Sequence, residues 1–285
     1  MRNLLEVQGI SKEYPSFTLK NVSFQIPEGF IMGFIGPNGA GKTTTIKAIL
    51  QMLAPTRGSI RIFGKEQSPD DVSYREDIGI VMDFPMYADV WTVKDVEAAL
   101  SPFYKNWNKA RYQSLCQKFS LPLASKVKDI SRGMKVKLMV TVALSHDAKL
   151  LILDEPTSGL DPVARDELME ILQDFISDGS RSVLFSTHIT SDLEKIADYI
   201  TFIKKGEIIF TGEKDALMEQ FVQVRGGNLP PDLHTHIIGL RQHGAGFDGM
   251  LHTDHLGLLP ADSIAEPLSL DDIVIYMNKE GEDHD

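Results

Sequence analysis

The residues of this sequence that could do chemistry fall into four short groups. The first is Gly36-Pro37-Asn38-Gly39-Ala40-Gly41-Lys42-Thr43-Thr44, which fits the phosphate-binding pattern G-x-x-x-x-G-K-[ST]. Gly36, Gly39 and Gly41 allow backbone angles that a side chain would forbid, so consecutive N–H groups can turn inward onto phosphate oxygens. A helix N-terminus behind them adds partial positive charge. Lys42 can reach the β- and γ-phosphates, and the Thr43 hydroxyl can ligate Mg²⁺. The second group is Asp154-Glu155. The aspartate is placed to hold Mg²⁺ directly or through water, and the glutamate to orient or deprotonate an attacking water. Asp83 and His188 complete the set, each following an apolar run. The plain alternatives are a glycine-rich turn matching by chance and a capping pair at Asp154-Glu155. The flanking elements favour a nucleoside triphosphate site.

Those elements are legible. Ile31–Ile35, Ile78–Met82, Leu150–Leu153 and Ser182–Thr187 are short apolar runs that read as buried parallel strands. Ile46, Ile49, Leu50 and Leu53 fall on one face of a helix after the glycine-rich loop. In an open parallel sheet the strands' carboxyl ends share one edge, where ligands bind, and all four groups sit at such ends. Helices between the strands make the fold α/β. Residues 5–14, 22–26 and 58–64 mix β-branched with polar residues and read as a half-exposed antiparallel layer. Tyr14, in that layer, either packs on its strand neighbours or stacks on a nucleotide base. Thr92 to Ala148 is helical in character and opens with the capping box Thr92-Val93-Lys94-Asp95. Val163–Ile176 reads as a helix, and Tyr199–Thr211 as a hairpin around Lys205-Gly206.

From Val222 the character changes to short alternating runs, with Gly226-Gly227 and Pro230-Pro231. A capping box at Ser269-Leu270-Asp271-Asp272 opens a helix to about Met277, and the tail from Lys279 reads as solvated and disordered. His234-x-His236, on an expected strand, and His252-x-x-His255 have metal-pair spacing. No cysteine and few nearby acids at ligand spacing support them, and the segment is loop-rich, so a solvated appendage is the better reading. The net charge of −11 argues against a broad nucleic-acid-binding surface. The one cysteine, Cys116, excludes an intramolecular disulfide and suits a reducing cytosol. The first residues lack a secretory apolar run and no segment approaches a bilayer-spanning length, so a membrane role would come through a partner chain.

Taken in order, these motifs resemble the nucleotide-binding subunits of the ABC (ATP-binding cassette) family. The resemblance rests on residues 36–44, Ile130-Ser131-Arg132-Gly133-Met134, Leu150–Glu155, Ser158-Gly159-Leu160-Asp161 and Ser186-Thr187-His188. It implies a P-loop core with a mostly parallel sheet, an antiparallel layer, a helical subdomain at about 92–148, and a small β-rich C-terminal appendage. The cassette would span 1–215 and the appendage 216–285. It implies ATP and Mg²⁺, a head-to-tail dimer with a like or unlike second subunit, and a transmembrane permease. The chain would sit in the cytoplasm, on the inner face of the membrane. Catalysis falls to Lys42, Glu155 and His188. The metal falls to Thr43, Asp83 and Asp154. Nucleotide binding falls to Tyr14 at the base, to residues 36–44, and to Ser131, Gly133 and Asp161 across the dimer. Tyr104-Lys105-Asn106-Trp107-Asn108 and the C-terminal helix resemble the drug- and peptide-export branch with separate permeases. Three positions depart from the family's pattern: Arg132 for a glycine, Met134 for a glutamine, and Asp83 for the glutamine that usually ligates Mg²⁺. Two rivals are a soluble ABC-type ATPase outside transport and a regulatory module that binds ATP without hydrolysing it.

Overall fold

Three apolar runs set the centre of the fold. In the computed structural model, which describes residues 2–68, 70–84, 86–244 and 246–279, these runs are strands buried along their whole length. In chain order the first half holds β1 (Asn3–Tyr14), β2 (Phe17–Pro27), β3 (Ile31–Ile35), α1 (Lys42–Ile49), β4 (Arg57–Ile62), β5 (Lys65–Glu66), β6 (Ile78–Val81), α2 (Val93–Leu100), α3 (Lys109–Lys118) and α4 (Arg132–Ala143). Then come β7 (Leu150–Asp154), α5 (Pro162–Ile176), β8 (Ser182–Thr187), α6 (Thr190–Ile196), β9 (Tyr199–Lys204) and β10 (Glu207–Glu213). Every residue of β3, β7 and β8 is buried, as strands covered on both faces must be.

The six-stranded sheet runs β10-β9-β3-β8-β7-β6, and the neighbours β3–β8, β8–β7 and β7–β6 are parallel. Their carboxyl ends therefore lie along one edge in the order glycine-rich loop, His188, Asp154-Glu155, Asp83. Helices α1, α5 and α4 pack on β7, β8 and β6 respectively. Gly79 makes the last approach possible, because a Cβ there would stand 2.9 Å from the Ala143 carbonyl oxygen of α4 and 2.4 Å from Leu151. The second sheet, β2-β1-β4-β5, is antiparallel.

Helix ends follow the chemistry of their caps. Thr92 and Asp95 form the reciprocal capping box of α2, Ser131 caps α4, and Asp161 caps α5 with Pro162 in the first turn. Helix α1 is shorter than the apolar spacing suggests, and half-buried Leu53 lies beyond its end. Gln51 takes φ 53°, and the N–H groups of Gln51 and Met52 close back on the Ala48 and Lys47 carbonyls, a Schellman termination.

The chain forms two compact units. One holds the residues up to His188 with Thr201–Thr211, and the other holds Ile189–Ile200 and the residues from Gly212 onward. The second unit adds α7 (Lys214–Glu219), β11 (Phe221–Gly226), α8 (Pro231–His234), β12 (Ile237–His243), β13 (Gly246–His252), β14 (Ile264–Pro267) and α9 (Leu270–Lys279). Its antiparallel sheet, β12-β13-β11-β14, rests on a core of Val224, Leu233, Ile237, Phe247 and Leu251. Ser269 and Asp272 cap α9 reciprocally, and Thr190 donates to Asp271 at 2.6 Å, tying α6 to α9.

The strand expected around His234 is instead the end of α8, because Pro230-Pro231 sets up a helical first turn. His236 stacks on His255 with centroids 4.0 Å apart. Among the described residues no group of three or more His, Cys, Asp or Glu could hold a metal ion. The tail from residue 280 lies outside the described residues. Among those residues no helix is long and apolar enough to cross a membrane.

Candidate active site

The turn from β3 into α1 builds a cradle. Gly36 has no room for a side chain, since a Cβ would stand 2.3 Å from the Ile203 carbonyl oxygen. Gly41, at φ 115°, is the N-cap of α1, whose first turn carries no side-chain cap. Uncapped N–H groups and the helix dipole there suit an oxyanion. The cleft above the loop, about 510 Å³, is lined by Pro37, Asn38, Gly39, Gly41, Lys42, Thr43 and Thr44, by Ser16 and Phe17 after β1, and by Asp83 and Glu155. Ala40 fastens the loop, donating to the Pro37 carbonyl at 3.1 Å and accepting from the Gly206 N–H at 3.0 Å.

Inside this cradle the charged groups interlock. Lys42 is 6% exposed; its Nζ lies 3.4 Å from Glu155 Oε1 and donates to the Gly36 carbonyl at 2.7 Å. His188 Nδ1 is 2.7 Å from Glu155 Oε2. Glu155 is thus gripped from both sides. Its backbone takes φ 51°, a left-handed conformation that costs a non-glycine residue roughly 1 kcal/mol. A hydrogen bond from its N–H to the Ser186 carbonyl at 2.9 Å holds it there.

Asp154, the last residue of β7, is 1% exposed. It accepts from Thr43 Oγ1 at 2.8 Å and from Ser186 Oγ at 3.0 Å. Burial pushes its carboxyl above the usual aspartate value. The two hydroxyls oppose that shift, the Glu155 charge adds to it and Lys42 opposes it. Thr43 and Asp154 together present hard oxygen donors of the kind Mg²⁺ selects.

Asp83 reaches the edge of the cleft, but its carboxylate pairs with the Arg132 guanidinium. Arg132 also donates to Ser158 Oγ at 3.1 Å. Tyr14 is exposed at the end of β1, its ring 6.5 Å from that of Phe17; Phe17, not Tyr14, lines the cleft. Ser131 caps α4 through the Met134 N–H at 3.2 Å, with Gly133 in the same first turn. Asp161 accepts from the Ala164 N–H at 2.9 Å, and that bond heads the causes that hold its carboxyl below the usual value. Ser131, Gly133 and Asp161 do not line the cleft of their own chain.

Sequence reasoning gave no role to Ser186 or Phe17. Ser186 is set by strand register, which the sequence does not spell out: it pairs directly with Asp154 across β7 and β8. Phe17 gave no signal, since it depends on the β1–β2 turn bringing it beneath Gly41.

The sequence profile of the ABC transporter family matches residues 19–158. A lantibiotic transport ATP-binding protein of Streptococcus pyogenes is 37% identical over 215 residues, which cover 74% of this chain and 92% of that protein. A bacitracin transport ATP-binding protein of Enterococcus faecalis is 30% identical over 73% of this chain and 70% of its own length. A solved ATP-binding subunit of an ABC transporter, 31% identical, superposes with a TM-score of 0.69 over 76% of this chain and 92% of that one. Sequence, fold and the order of groups along one sheet edge agree: the chain belongs to the ABC transporter family, as one of its ATP-binding and ATP-hydrolysing subunits.

Proposed function

We propose that this chain powers an exporter of a drug, peptide or lipid-like molecule, with the permease on a separate chain, by closing as a head-to-tail pair on Mg·ATP. The observation that carries the reading is the grip of Lys42 and His188 on Glu155, beside the Thr43–Asp154 pair. Relatives named for lantibiotic and bacitracin transport support the export reading. The loop N–H groups and Lys42 bind the β- and γ-phosphates. Thr43 and Asp154 would hold the metal, while Asp83 stays paired with Arg132 at the edge of the cleft. Bound there, Mg²⁺ would neutralise charge on the phosphate oxygens. Glu155 orients a water against the γ-phosphorus and takes up its proton as the bond to the β-phosphate oxygen breaks. His188 and Lys42 keep the Glu155 carboxylate in line. Tyr14 meets the base, while Ser131, Gly133 and Asp161 face the nucleotide of the second subunit.

Exposed Phe84, Met86 and Val90 follow closely after Asp83 in sequence and would supply apolar surface for docking a permease. On this reading the subunit works at the cytoplasmic face of a membrane. The test compares Glu155→Gln with the parent for oligomeric state and ATP turnover, with and without Mg·ATP. A variant that dimerises on Mg·ATP without turnover, beside a parent that hydrolyses, supports the reading. A parent that binds ATP but neither hydrolyses nor dimerises would favour a regulatory module.

A further inference from the structure

The two charged departures from the family's pattern, Asp83 and Arg132, form a single feature in space. They are joined in an ion pair within one chain. Arg132 is not a free surface arginine. Its guanidinium has a second anchor in Ser158 Oγ at 3.1 Å, and its stem lies over Gly159, where a Cβ would stand 3.2 Å from Arg132 Cδ. Gly159 has φ 80° and no side chain to obstruct that path.

The location gives the pair its meaning. Asp83 and Glu155 line the phosphate cleft. The same two residues line a second depression of about 290 Å³ on their other side, where Arg132 and Lys135 stand. Asp83 and Glu155 thus form a wall, with phosphate chemistry on one side and Arg132 on the other. With Asp154 close behind, three carboxylates surround a site that must accept a polyanion, and Lys42 is the lysine or arginine among the residues lining the cleft. A glutamine in place of Asp83 would carry no charge and need no compensation.

We propose that Arg132 is a positioning residue that neutralises Asp83 from behind the wall, and so lets an aspartate stand at the phosphate cleft without repelling the nucleotide. The inference rests on the proposed ATP site. The pair is 59% and 49% exposed, so it adds little to global stability; its effect falls on local charge. The competing assignment for Arg132 is direct contact with the phosphate bound by a second subunit.

The experiment is equilibrium binding of Mg·ADP and Mg·ATP to the monomer, at low and high salt. It uses the parent, Arg132→Gln, Asp83→Asn and the double variant, with unfolding midpoints as a check on folding. Arg132→Gln is expected to weaken binding by about fivefold at low salt and less at high salt, as an uncompensated charge beside the phosphates should. Asp83→Asn alone should bind at least as tightly as the parent. The double variant should return to within about twofold of the parent, since the charge that needed cancelling is gone. Arg132→Lys keeps the charge and should retain most of the affinity.

Loss in Arg132→Gln that persists in the double variant would overturn the inference. Unchanged monomer binding with lost ATP-driven dimerisation would also overturn it, in favour of the contact across subunits. An idle pair would leave all variants alike, which overturns it too. These outcomes leave the ATPase reading standing; a parent that binds neither nucleotide would remove both.

Discussion

Ser186→Ala removes a single hydroxyl, the one that donates to Asp154 Oδ1 at 3.0 Å. Both residues are buried, and the space vacated is too small to hold a water. A hydrogen bond to a charged group is worth roughly 1.5–3 kcal/mol, and leaving the acceptor buried removes water's compensation. The variant should therefore be less stable by about 2 kcal/mol when Asp154 is ionised. Burial already raises the Asp154 pKa, and Ser186 is one of the groups that opposes the rise. Without it the folded-state value climbs further above the unfolded one. A carboxyl raised in this way costs stability as pH rises through its pKa, so the deficit should be largest near pH 8 and shrink toward acid, where Asp154 is protonated in both proteins. Trp91 and Trp107 both lie in the first compact unit, so urea unfolding followed by their fluorescence reports on the relevant unit. Ser182→Ala is the control. It removes a buried hydroxyl four residues earlier that donates to the uncharged Pro27 carbonyl at 2.8 Å, and its cost should not vary with pH. A Ser186→Ala deficit below about 0.5 kcal/mol at pH 8, or one that grows toward acid, would refute the reasoning.

Further outcomes follow from the same geometry. Gly36→Ala forces a Cβ against the Ile203 carbonyl oxygen, displaces the cradle, and should weaken nucleotide binding by about tenfold or more in a titration. Asp154→Asn removes a carboxylate whose charge burial disfavours. It should abolish turnover yet raise the melting temperature of the nucleotide-free protein at pH 7–8, with the gain fading as pH falls and the parent's Asp154 takes up its proton. Thr92→Ala breaks the reciprocal cap on α2 and should cost about 1 kcal/mol in urea unfolding.

Chemistry tied to a local pattern was readable in the chain. The glycine-rich loop, the apolar runs ending at Asp154 and Thr187, and the capping boxes at Thr92 and Ser269 depend on neighbours within a few residues, and each formed where its spacing placed it. What depends on pairing across the fold was not readable. The bond from Ser186 to Asp154 follows from the β7–β8 register. The Arg132–Asp83 pair joins residues 49 positions apart, and the sequence showed two separate substitutions with no sign that they meet. The end of α1 was missed because Gln51, an ordinary residue, takes the left-handed turn usually left to glycine. In the C-terminal unit, β13 and β14 escaped notice. All four residues of β14 are exposed, so it carries no alternation to read.

Strands β6 and β7 are adjacent in the sheet, yet the chain between them makes the long excursion that holds α2, α3 and α4. That excursion is a loop of machinery pinned at both ends to neighbouring hydrogen-bonded rails. A load applied along it reaches the sheet at its moorings and where α4 packs on β6, and the first mooring carries Asp83. The salt link from Arg132, at the start of α4, forms a third tether to the same spot. A tug from outside would thus have a direct route to the wall of the phosphate cleft.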